Sequence, residues 1–192
     1  FRIKATGETL TLKDQYNRAG KQANAIEHFE FADRTVKYTD LNPEDVDVVG
    51  TAAGEPLEGS NFGETINGLS GNDLLKGVDG GDIYLFDEGY GDDVIIDTRA
   101  KGGWTDRKGV VVAVDDIVQF GDDVTLGNVS FAKDADDLVV YLTANGRTDT
   151  LRIKDQFLDT LNGIEWFKFK DGTSLSIAQV EQIVGIVGSN RG

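Results

Sequence analysis

The sequence from Gly50 to Asp97 reads GTAAGEPLE, GSNFGETIN, GLSGNDLLK, GVDGGDIYL, FD, EGYGDDVII and D. Four nine-residue units follow one another without a gap, and a fifth comes after the two-residue insertion FD. The sixth position of every unit is acidic, in the series Glu55, Glu64, Asp73, Asp82 and Asp93. The eighth position is large and apolar, in the series Leu57, Ile66, Leu75, Tyr84 and Ile95. Glycine recurs at the first, fourth or fifth position.

The nine-residue period favours a short turn followed by a short strand. It does not fit one face of a helix, because the apolar position would rotate around the helix axis from unit to unit. Each unit buries too little surface alone, so a core forms only when the units stack. Stacking would place the acidic residues in columns, where like charges repel. A divalent cation held by oxygen ligands would remove that conflict.

The units resemble the calcium-binding nonapeptide G-G-x-G-x-D-x-U-x of the RTX (haemolysin-type) proteins. The best copies are residues 68–76 and 77–85. The resemblance implies a parallel β-roll in which successive units lie on opposite sides. Units two apart would then share a calcium ion through acidic side chains and turn carbonyls. Carried over to this sequence, it pairs Glu55 with Asp73, Glu64 with Asp82, and Asp73 with Asp93.

The resemblance also implies a set of calcium ligands beyond the five sixth-position acids. We expect Asp97 to help close the last site. The first two turns depart from the family pattern, since they carry Glu in place of Asp, and Ala53 and Phe62 at the fourth position. These two turns are therefore expected to bind calcium more weakly than the later ones. The turn residues implied as ligands are Gly68, Ser70, Gly71, Gly77, Asp79 and Gly80.

A second pattern is a duplication on either side of the nonapeptides. TLTLKDQY (9–16) matches TLRIKDQF (150–157) at five of eight positions, and IEHFEFADRT (26–35) matches IEWFKFKDGT (164–173) at six of ten. The simplest account is a tandem array of repeated units. It predicts the end of a preceding cap segment over 1–49, a calcium-binding β-roll over 50–97, a β-rich cap over 98–184 and the start of a next unit over 185–192.

We therefore expect a mainly all-β fold, in which a parallel β-roll is flanked by β-rich capping segments and a short helix lies near the C-terminus. Strand patterns occur at 110–114, 116–120 and 138–142, and the helix is expected between 174 and 184 with Ser176 as its N-cap. Apolar residues also occupy the outward positions of the later units. They predict that residues 98–184 lie against the later turns. These outward residues are Leu74, Ile83, Leu85, Val94 and Ile96.

Composition limits the classes of function. The 192 residues include 34 acidic and 19 basic side chains, for a net charge of −15. This charge disfavours nucleic acid or an anionic membrane as the main partner and suits cation binding. The absence of cysteine excludes disulfides, and the single histidine, His28, cannot build a usual zinc site. The remaining acidic pairs are interpreted as solvated turns rather than catalytic carboxylates, so we expect no enzyme.

The predicted function is a calcium-binding RTX module that folds on binding extracellular calcium and supports the secretion and folding of a larger secreted protein. The family implies export through a type I secretion channel and an extracellular or cell-surface location. Two alternatives stay open. One is an adhesin or carbohydrate-binding module, with Trp104 as a sugar platform. The other is an accessory domain of a secreted calcium-dependent enzyme or toxin. Membrane or glycan contact is expected only through the parent protein.

Overall fold

The computed structural model describes residues 28–30, 35–37, 47–59, 63–78, 80–97, 104–105, 111–112, 115–158 and 163–185. Within these ranges the regular secondary structure is β-strand apart from one short helix. The elements are β1 His28–Glu30, β2 Thr35–Lys37, β3 Asp47–Val49, β4 Pro56–Glu58, β5 Thr65–Asn67, β6 Leu74–Lys76, β7 Ile83–Phe86, β8 Asp92–Ile96, β9 Trp104–Thr105, β10 Val111–Val112, β11 Ile117–Phe120, β12 Val129–Asp134, β13 Asp137–Ala144, β14 Arg147–Ile153, β15 Trp166–Lys168, β16 Ser174–Ser176 and α1 Ile177–Ile183.

Two six-stranded sheets hold most of these strands. Their orders are β16-β15-β11-β7-β5-β3 and β12-β13-β14-β8-β6-β4. Successive nonapeptide strands alternate between the two sheets and pair in parallel with the strand two units away. This is the predicted β-roll, and the expected all-β class with one short helix is confirmed. The alternation places every second unit in register, so equivalent side chains stack in columns.

The core is formed by the eighth-position side chains of the nonapeptides. In one sheet Val48 pairs with Ile66 and Ile66 with Tyr84, and the register continues to Val118 and Phe167 beyond the nonapeptides. In the other sheet Leu57, Leu75 and Ile95 are aligned in the same way. The side chains of Ile66, Tyr84 and Ile95 are fully buried, which makes these columns the interior of the roll. Burial of this apolar surface is the main favourable term for a stack of such short strands.

The segment after Asp97 continues both sheets instead of forming a separate layer. β11 pairs in parallel with β7, and β15 pairs in parallel with β11. In the other sheet β14 pairs in parallel with β8. Each sheet then ends in antiparallel strands, β13 and β12 on one side and β16 on the other. The roll therefore passes into its cap without a break in backbone pairing, and the last parallel strands leave no open edge there.

The outward apolar residues correct one detail of the sequence interpretation. Residues 115–153 do lie against the later turns, but they do so by strand pairing at the sheet edge. Leu74, Ile83, Leu85 and Val94 are only partly buried, and Ile96 remains 37% exposed. The described residues therefore do not bury this outward face completely. β-branched and aliphatic residues also suit a strand for its own packing along the sheet.

The C-terminal helix and its hairpin match their predicted positions. α1 begins after Ser176, whose backbone N–H donates to the Gln179 side chain at 2.8 Å in a capping-box arrangement. The Asp171-Gly172 turn joins β15 to β16, and Gly172 has a positive φ of 89°. Near the N-terminus, β1 and β2 form a similar antiparallel hairpin within the duplicated sequence. In the part of the chain that the structure describes, no helix has the length and apolarity needed to span a membrane.

Candidate metal centre

Acidic residues form two columns at the N-terminal ends of the parallel strands. We call Glu55, Asp73 and Asp93 the first acidic column, since Glu55 and Asp73 directly precede β4 and β6 and Asp93 is the second residue of β8. The second acidic column leads into β5, β7, β11 and β15 of the other sheet. Its members are Glu64, Asp82, Asp116 and Glu165. The structure thus brings together each of the pairs implied by the family resemblance, and it adds two acids from outside the nonapeptides.

The first column is linked by hydrogen bonds from backbone to side chain. The backbone N–H of Glu55 donates to Oδ1 of Asp73 at 2.9 Å. The N–H of Asp73 in turn donates to Oδ1 of Asp93 at 2.8 Å. One carboxylate oxygen of each aspartate therefore fixes the backbone of the preceding unit in the same column; we call each such unit a rung of the roll. The second oxygen takes no part in this hydrogen bond.

The second column repeats this arrangement over a longer run. The N–H of Glu64 donates to Oδ1 of Asp82 at 2.8 Å, and the N–H of Asp82 donates to Oδ1 of Asp116 at 2.8 Å. The N–H of Asp116 donates to Oε2 of Glu165 at 2.7 Å. Asp116 and Glu165 thus act as the next two rungs of the same column, although no nonapeptide turn precedes them.

In three aspartates of the columns the second carboxylate oxygen is also buried. Asp73, Asp82 and Asp93 are 2%, 0% and 1% exposed. Among the described residues, Oδ2 of each has no hydrogen-bond partner. A buried carboxylate oxygen without a partner is costly, and each such group in a protein requires an explanation. Hard divalent cations such as Ca²⁺ take carboxylate and carbonyl oxygens as ligands, so these residues fit a calcium site.

The pKa values of the column carboxyls show how poorly the interior accommodates their charge. Burial raises the pKa of Asp82 to about 9, with the charges of Asp97, Glu64 and Asp116 adding to the effect. Burial likewise raises the pKa of Asp93 to about 7, and it raises the pKa of Asp73. In each case the backbone hydrogen bond acts in the opposite direction and is outweighed. Either a proton or a cation is needed to neutralise these groups.

The first-position glycines hold the backbone against these carboxylates. A Cβ on Gly68 would lie 2.6 Å from Oδ2 of Asp73, and a Cβ on Gly50 would lie 2.7 Å from the Gly68 carbonyl oxygen. A Cβ on Gly77 would collide with Oδ2 of Asp82 and with the Tyr84 hydroxyl. A side chain at these positions would therefore fill the space beside the carboxylate oxygens. This explains why the repeat requires glycine there.

The other turn residues implied as ligands occupy different environments. Gly71 and Gly80 have positive φ values of 152° and 125°, and the Gly71 N–H donates to the carbonyl of Tyr90 at 2.8 Å. Ser70 is exposed, whereas Gly80 is buried. Asp79 lies outside the described residues. The ligand assignments of Ser70, Gly71, Asp79 and Gly80 stay predictions.

Glu55 differs from the later acids in its surroundings. It is half-buried, and its Oε1 accepts a hydrogen bond from the N–H of Thr51 in its own turn. The longer side chain therefore folds back on its own turn. Glu64, by contrast, is only 4% exposed. The weaker binding expected of the first two turns stays a prediction.

Asp97 follows β8 and lies beside the second acidic column. It is 3% exposed, and it forms a cluster with Asp82 and Asp116 in which one ligand oxygen from each lies within 4.8 Å of the others. The Tyr84 hydroxyl donates to Oδ2 of Asp97 at 2.5 Å. Burial is the main cause of the raised pKa of Tyr84, followed by the charge of Asp97. Through this hydrogen bond the cluster contacts Tyr84, which belongs to the apolar column that also contains Ile66 and Val118.

Sequence reasoning missed Asp116 and Glu165 as column members. Both carry the last part of the nonapeptide signal, an acid followed two residues later by a large apolar residue: Asp116 precedes Val118, and Glu165 precedes Phe167. The glycine-rich half of the signal is missing before Asp116, and only Gly163, at the fourth position, remains of it before Glu165. An acid followed two residues later by an apolar residue is too common in an acidic sequence to identify a column member. Only the strand register assigns these two acids to the column.

Asp149 is another buried acid that the sequence did not single out. Its two carboxylate oxygens accept the N–H of Gly89 at 2.7 Å and the N–H of Gly91 at 3.2 Å, and Arg147 Nε lies 2.7 Å from Oδ1. In the register of β14 against β8, Leu151 stands opposite Asp93. An apolar residue therefore takes the place of the next acid, and the first column ends at Asp93. Trp104 begins β9, and its proposed role as a sugar platform stays a prediction.

Comparison with known proteins supports the family resemblance. A family model described as "Haemolysin-type calcium binding protein related domain" matches residues 1–36 and 138–179. These two segments contain the duplicated blocks, and the second contains strands β14 to β16 that close the roll. The matched family is a calcium-binding type of domain and not an enzyme family. No curated protein sequence matches the chain. The chain therefore matches a domain related to haemolysin-type calcium-binding proteins on both sides of its nonapeptide roll, in agreement with the RTX-type resemblance of the roll itself.

Proposed function

We propose that the protein is a calcium-dependent folding module of a larger secreted protein. The observation that carries the proposal is the set of buried carboxylate oxygens on Asp73, Asp82 and Asp93, for which the described residues provide no hydrogen-bond partner. Calcium is the cation whose ligand preferences these oxygens and the neighbouring turn carbonyls satisfy. The ions are held between successive rungs of each column.

Folding and calcium binding are coupled in this proposal. Without an ion, closing the roll brings like charges together and removes them from water, which opposes folding. The binding sites do not exist in the unfolded chain, so the free energy of calcium binding contributes to the free energy of folding. Sites with Kd values of about 10⁻⁴ to 10⁻³ M, typical of extracellular modules, would suffice at extracellular calcium concentrations of about a millimolar. In the calcium-poor cytosol the nonapeptides would remain unfolded.

This coupling supports a location outside the cell and a route to it. A chain that stays unfolded in the cytosol suits passage through a type I secretion channel, and calcium outside the cell would then drive folding in place. The net charge of −15 gives the unfolded chain strong self-repulsion that bound cations would offset. The proposed role of the module is binding and folding, with no catalytic step of its own.

Far-ultraviolet circular dichroism of the full chain tests the proposal. The β signal is expected to be weak in excess chelator and to rise cooperatively with added calcium, and ion counting should show several bound ions per folded chain. Magnesium at equal concentration is the control, because it dehydrates reluctantly and demands a regular octahedral site. A full β signal in excess chelator would contradict the proposed coupling.

A further inference from the structure

We propose that a divalent cation bound by Asp82, Asp97 and Asp116 joins the nonapeptide roll to the segment that follows it. The inference rests on the proposed function and adds a specific site to it. Asp116 lies outside the nonapeptides, and Asp97 directly follows the last one, so this site cannot be formed by the repeats alone.

The geometry of the cluster suits a small cation. The three residues are 0%, 3% and 1% exposed, and a ligand oxygen of each lies within 4.8 Å of the other two. Oδ2 of Asp82 is buried and lacks a hydrogen-bond partner among the described residues, whereas Oδ1 is used by the column. Three carboxylates at such distances cannot all be ionised without a counter-charge, and a divalent cation with oxygen ligands supplies it.

The position of Asp97 explains why an acid appears at this rung. β8 pairs with β6 so that Ile96 stands opposite Lys76, and Asp97 therefore follows β8 as Gly77 follows β6. At Gly77 a side chain would meet Oδ2 of Asp82. Asp97 occupies the equivalent position one rung further along the sheet. Its side chain extends in the same direction, so its carboxylate lies toward the second acidic column. The chain thus replaces a turn glycine by a ligand where the repeat ends.

The Tyr84 hydroxyl orients this ligand. It donates to Oδ2 of Asp97 at 2.5 Å, which fixes the carboxylate in the cluster. A partner that orients a metal-binding carboxylate through a hydrogen bond is a common feature of metal sites. Tyr84 stands in the apolar column between Ile66 and Val118, where a hydroxyl has no packing role.

An ion at this site would connect three strands. Asp82 leads into β7, Asp97 follows β8 and Asp116 leads into β11. Asp97 and Asp116 are separated by 19 positions in the sequence, so an ion that binds both would close a loop of that length. Cross-linking of this kind offsets the entropy cost of loop closure. Binding here would therefore favour the docking of β11, and through it of β15, onto the roll.

The test compares ion binding by the full chain and its variants at a calcium concentration that just fills the wild-type sites, so that a weakened site stays empty. Asp116→Asn removes the charge but keeps an oxygen that can accept the Asp82 N–H, so the column is retained. Asp97→Asn is a second variant that keeps an acceptor for Tyr84. Each should bind about one calcium ion fewer than the wild type, while the exposed turn variant Asp123→Asn should bind the wild-type number. Circular dichroism in calcium checks that each variant is folded.

Terbium luminescence gives a second readout, since a tyrosine beside a bound Tb³⁺ sensitises its emission. Emission excited through tyrosine should fall in Asp116→Asn and in Tyr84→Phe, and it should be unchanged in Asp123→Asn. If folded Asp116→Asn and Asp97→Asn bind as many calcium ions as the wild type, these carboxylates do not hold an ion and the inference is overturned. A wild-type chain that binds no calcium at all would instead refute the proposed function.

Discussion

At the scale of single residues, the buried aspartates in the middle of the roll are expected to matter most for calcium binding. Asp73 accepts a hydrogen bond from the Glu55 N–H and donates its own N–H to Asp93, so it takes part in two successive rungs. Its Oδ2 is buried without a partner in the described part of the chain. A carboxylate shared by two rungs would contribute to two ions.

Asp73→Ala should therefore weaken calcium binding more than any change in the first turn. We expect the calcium concentration at the folding midpoint to rise by about tenfold, which corresponds to about 1.4 kcal/mol of binding free energy. Glu55→Ala is the matched comparison and should have a smaller effect, because Glu55 is half-buried and interacts with its own turn. A calcium titration followed by circular dichroism measures both. Equal damage from the two substitutions would show that the ranking of the turns is wrong.

At the same scale, residues explain what the sequence could and could not reveal. The resemblance to the RTX nonapeptide implied the neighbours Glu55–Asp73, Glu64–Asp82 and Asp73–Asp93, all of which lie on adjacent rungs. Leu69 and Val78 occupy left-handed backbone with φ values of 65° and 86°, where the family pattern has glycine. Their φ values follow from the turn shape and not from their own preferences, so composition alone would not have placed a tight turn there.

At the scale of elements, the register of β14 determines where the first acidic column ends. Leu151 stands opposite Asp93, so no further acid is available on that side. Asp149 instead accepts the N–H groups of Gly89 and Gly91 and holds the last glycine turn by hydrogen bonds alone. The register of two strands from distant parts of the sequence cannot be read from a local pattern. For that reason Asp149 was not predicted.

Asp149→Ala should destabilise the protein without removing an ion. The loss of an acceptor for two backbone N–H groups is expected to lower the free energy of unfolding by about 2 kcal/mol, and the deficit should persist in saturating calcium. Urea unfolding measures the change, and ion counting should give the wild-type number. Asp123→Ala, in an exposed turn, should change stability by less than about 0.5 kcal/mol. A loss of bound calcium in Asp149→Ala would place this residue among the ligands instead.

At the scale of the whole molecule, the metal-free folded state should become less stable as the pH rises, whereas calcium binding should become stronger. The pKa values of Asp82 and Asp93 are raised to about 9 and about 7 from an ordinary value of 3.8. Between the ordinary pKa of 3.8 and these raised values, the metal-free folded state binds more protons than the unfolded chain does. Its stability is thus greatest at acid pH and is lost as the pH rises through about 7 and about 9. Calcium competes with these protons, so calcium binding strengthens over the same range.

Circular dichroism of calcium-stripped and calcium-saturated protein at about pH 5 and about pH 8 would measure this effect. The stripped protein should show more β signal at the lower pH, and it should require less urea to unfold at the higher pH. The apparent calcium affinity should be greater at the higher pH. A stripped protein that becomes more stable as the pH rises would show that the buried carboxyls do not control folding.

The overall architecture was predictable to the extent that it follows from a local repeat. The nine-residue period predicted stacked turn-and-strand units with apolar columns, and the family resemblance implied the parallel roll and its alternation between two sides. The duplicated blocks marked part of the segment that closes the roll. The sequence could not show that this segment continues the same sheets through β11, β14 and β15. These strands lack the glycine turns of the repeat, and long-range pairing decides their position.

The central claim is that metal ions neutralise the acidic columns and let the roll close. A crystal structure of the chain grown with calcium, with anomalous diffraction to identify the ions, tests this most directly. The account predicts calcium ions between the rungs of both columns, in contact with Asp73, Asp82 and Asp93. Well-ordered turns between Gly50 and Asp97 that contain no metal, although calcium is plentiful, would contradict it.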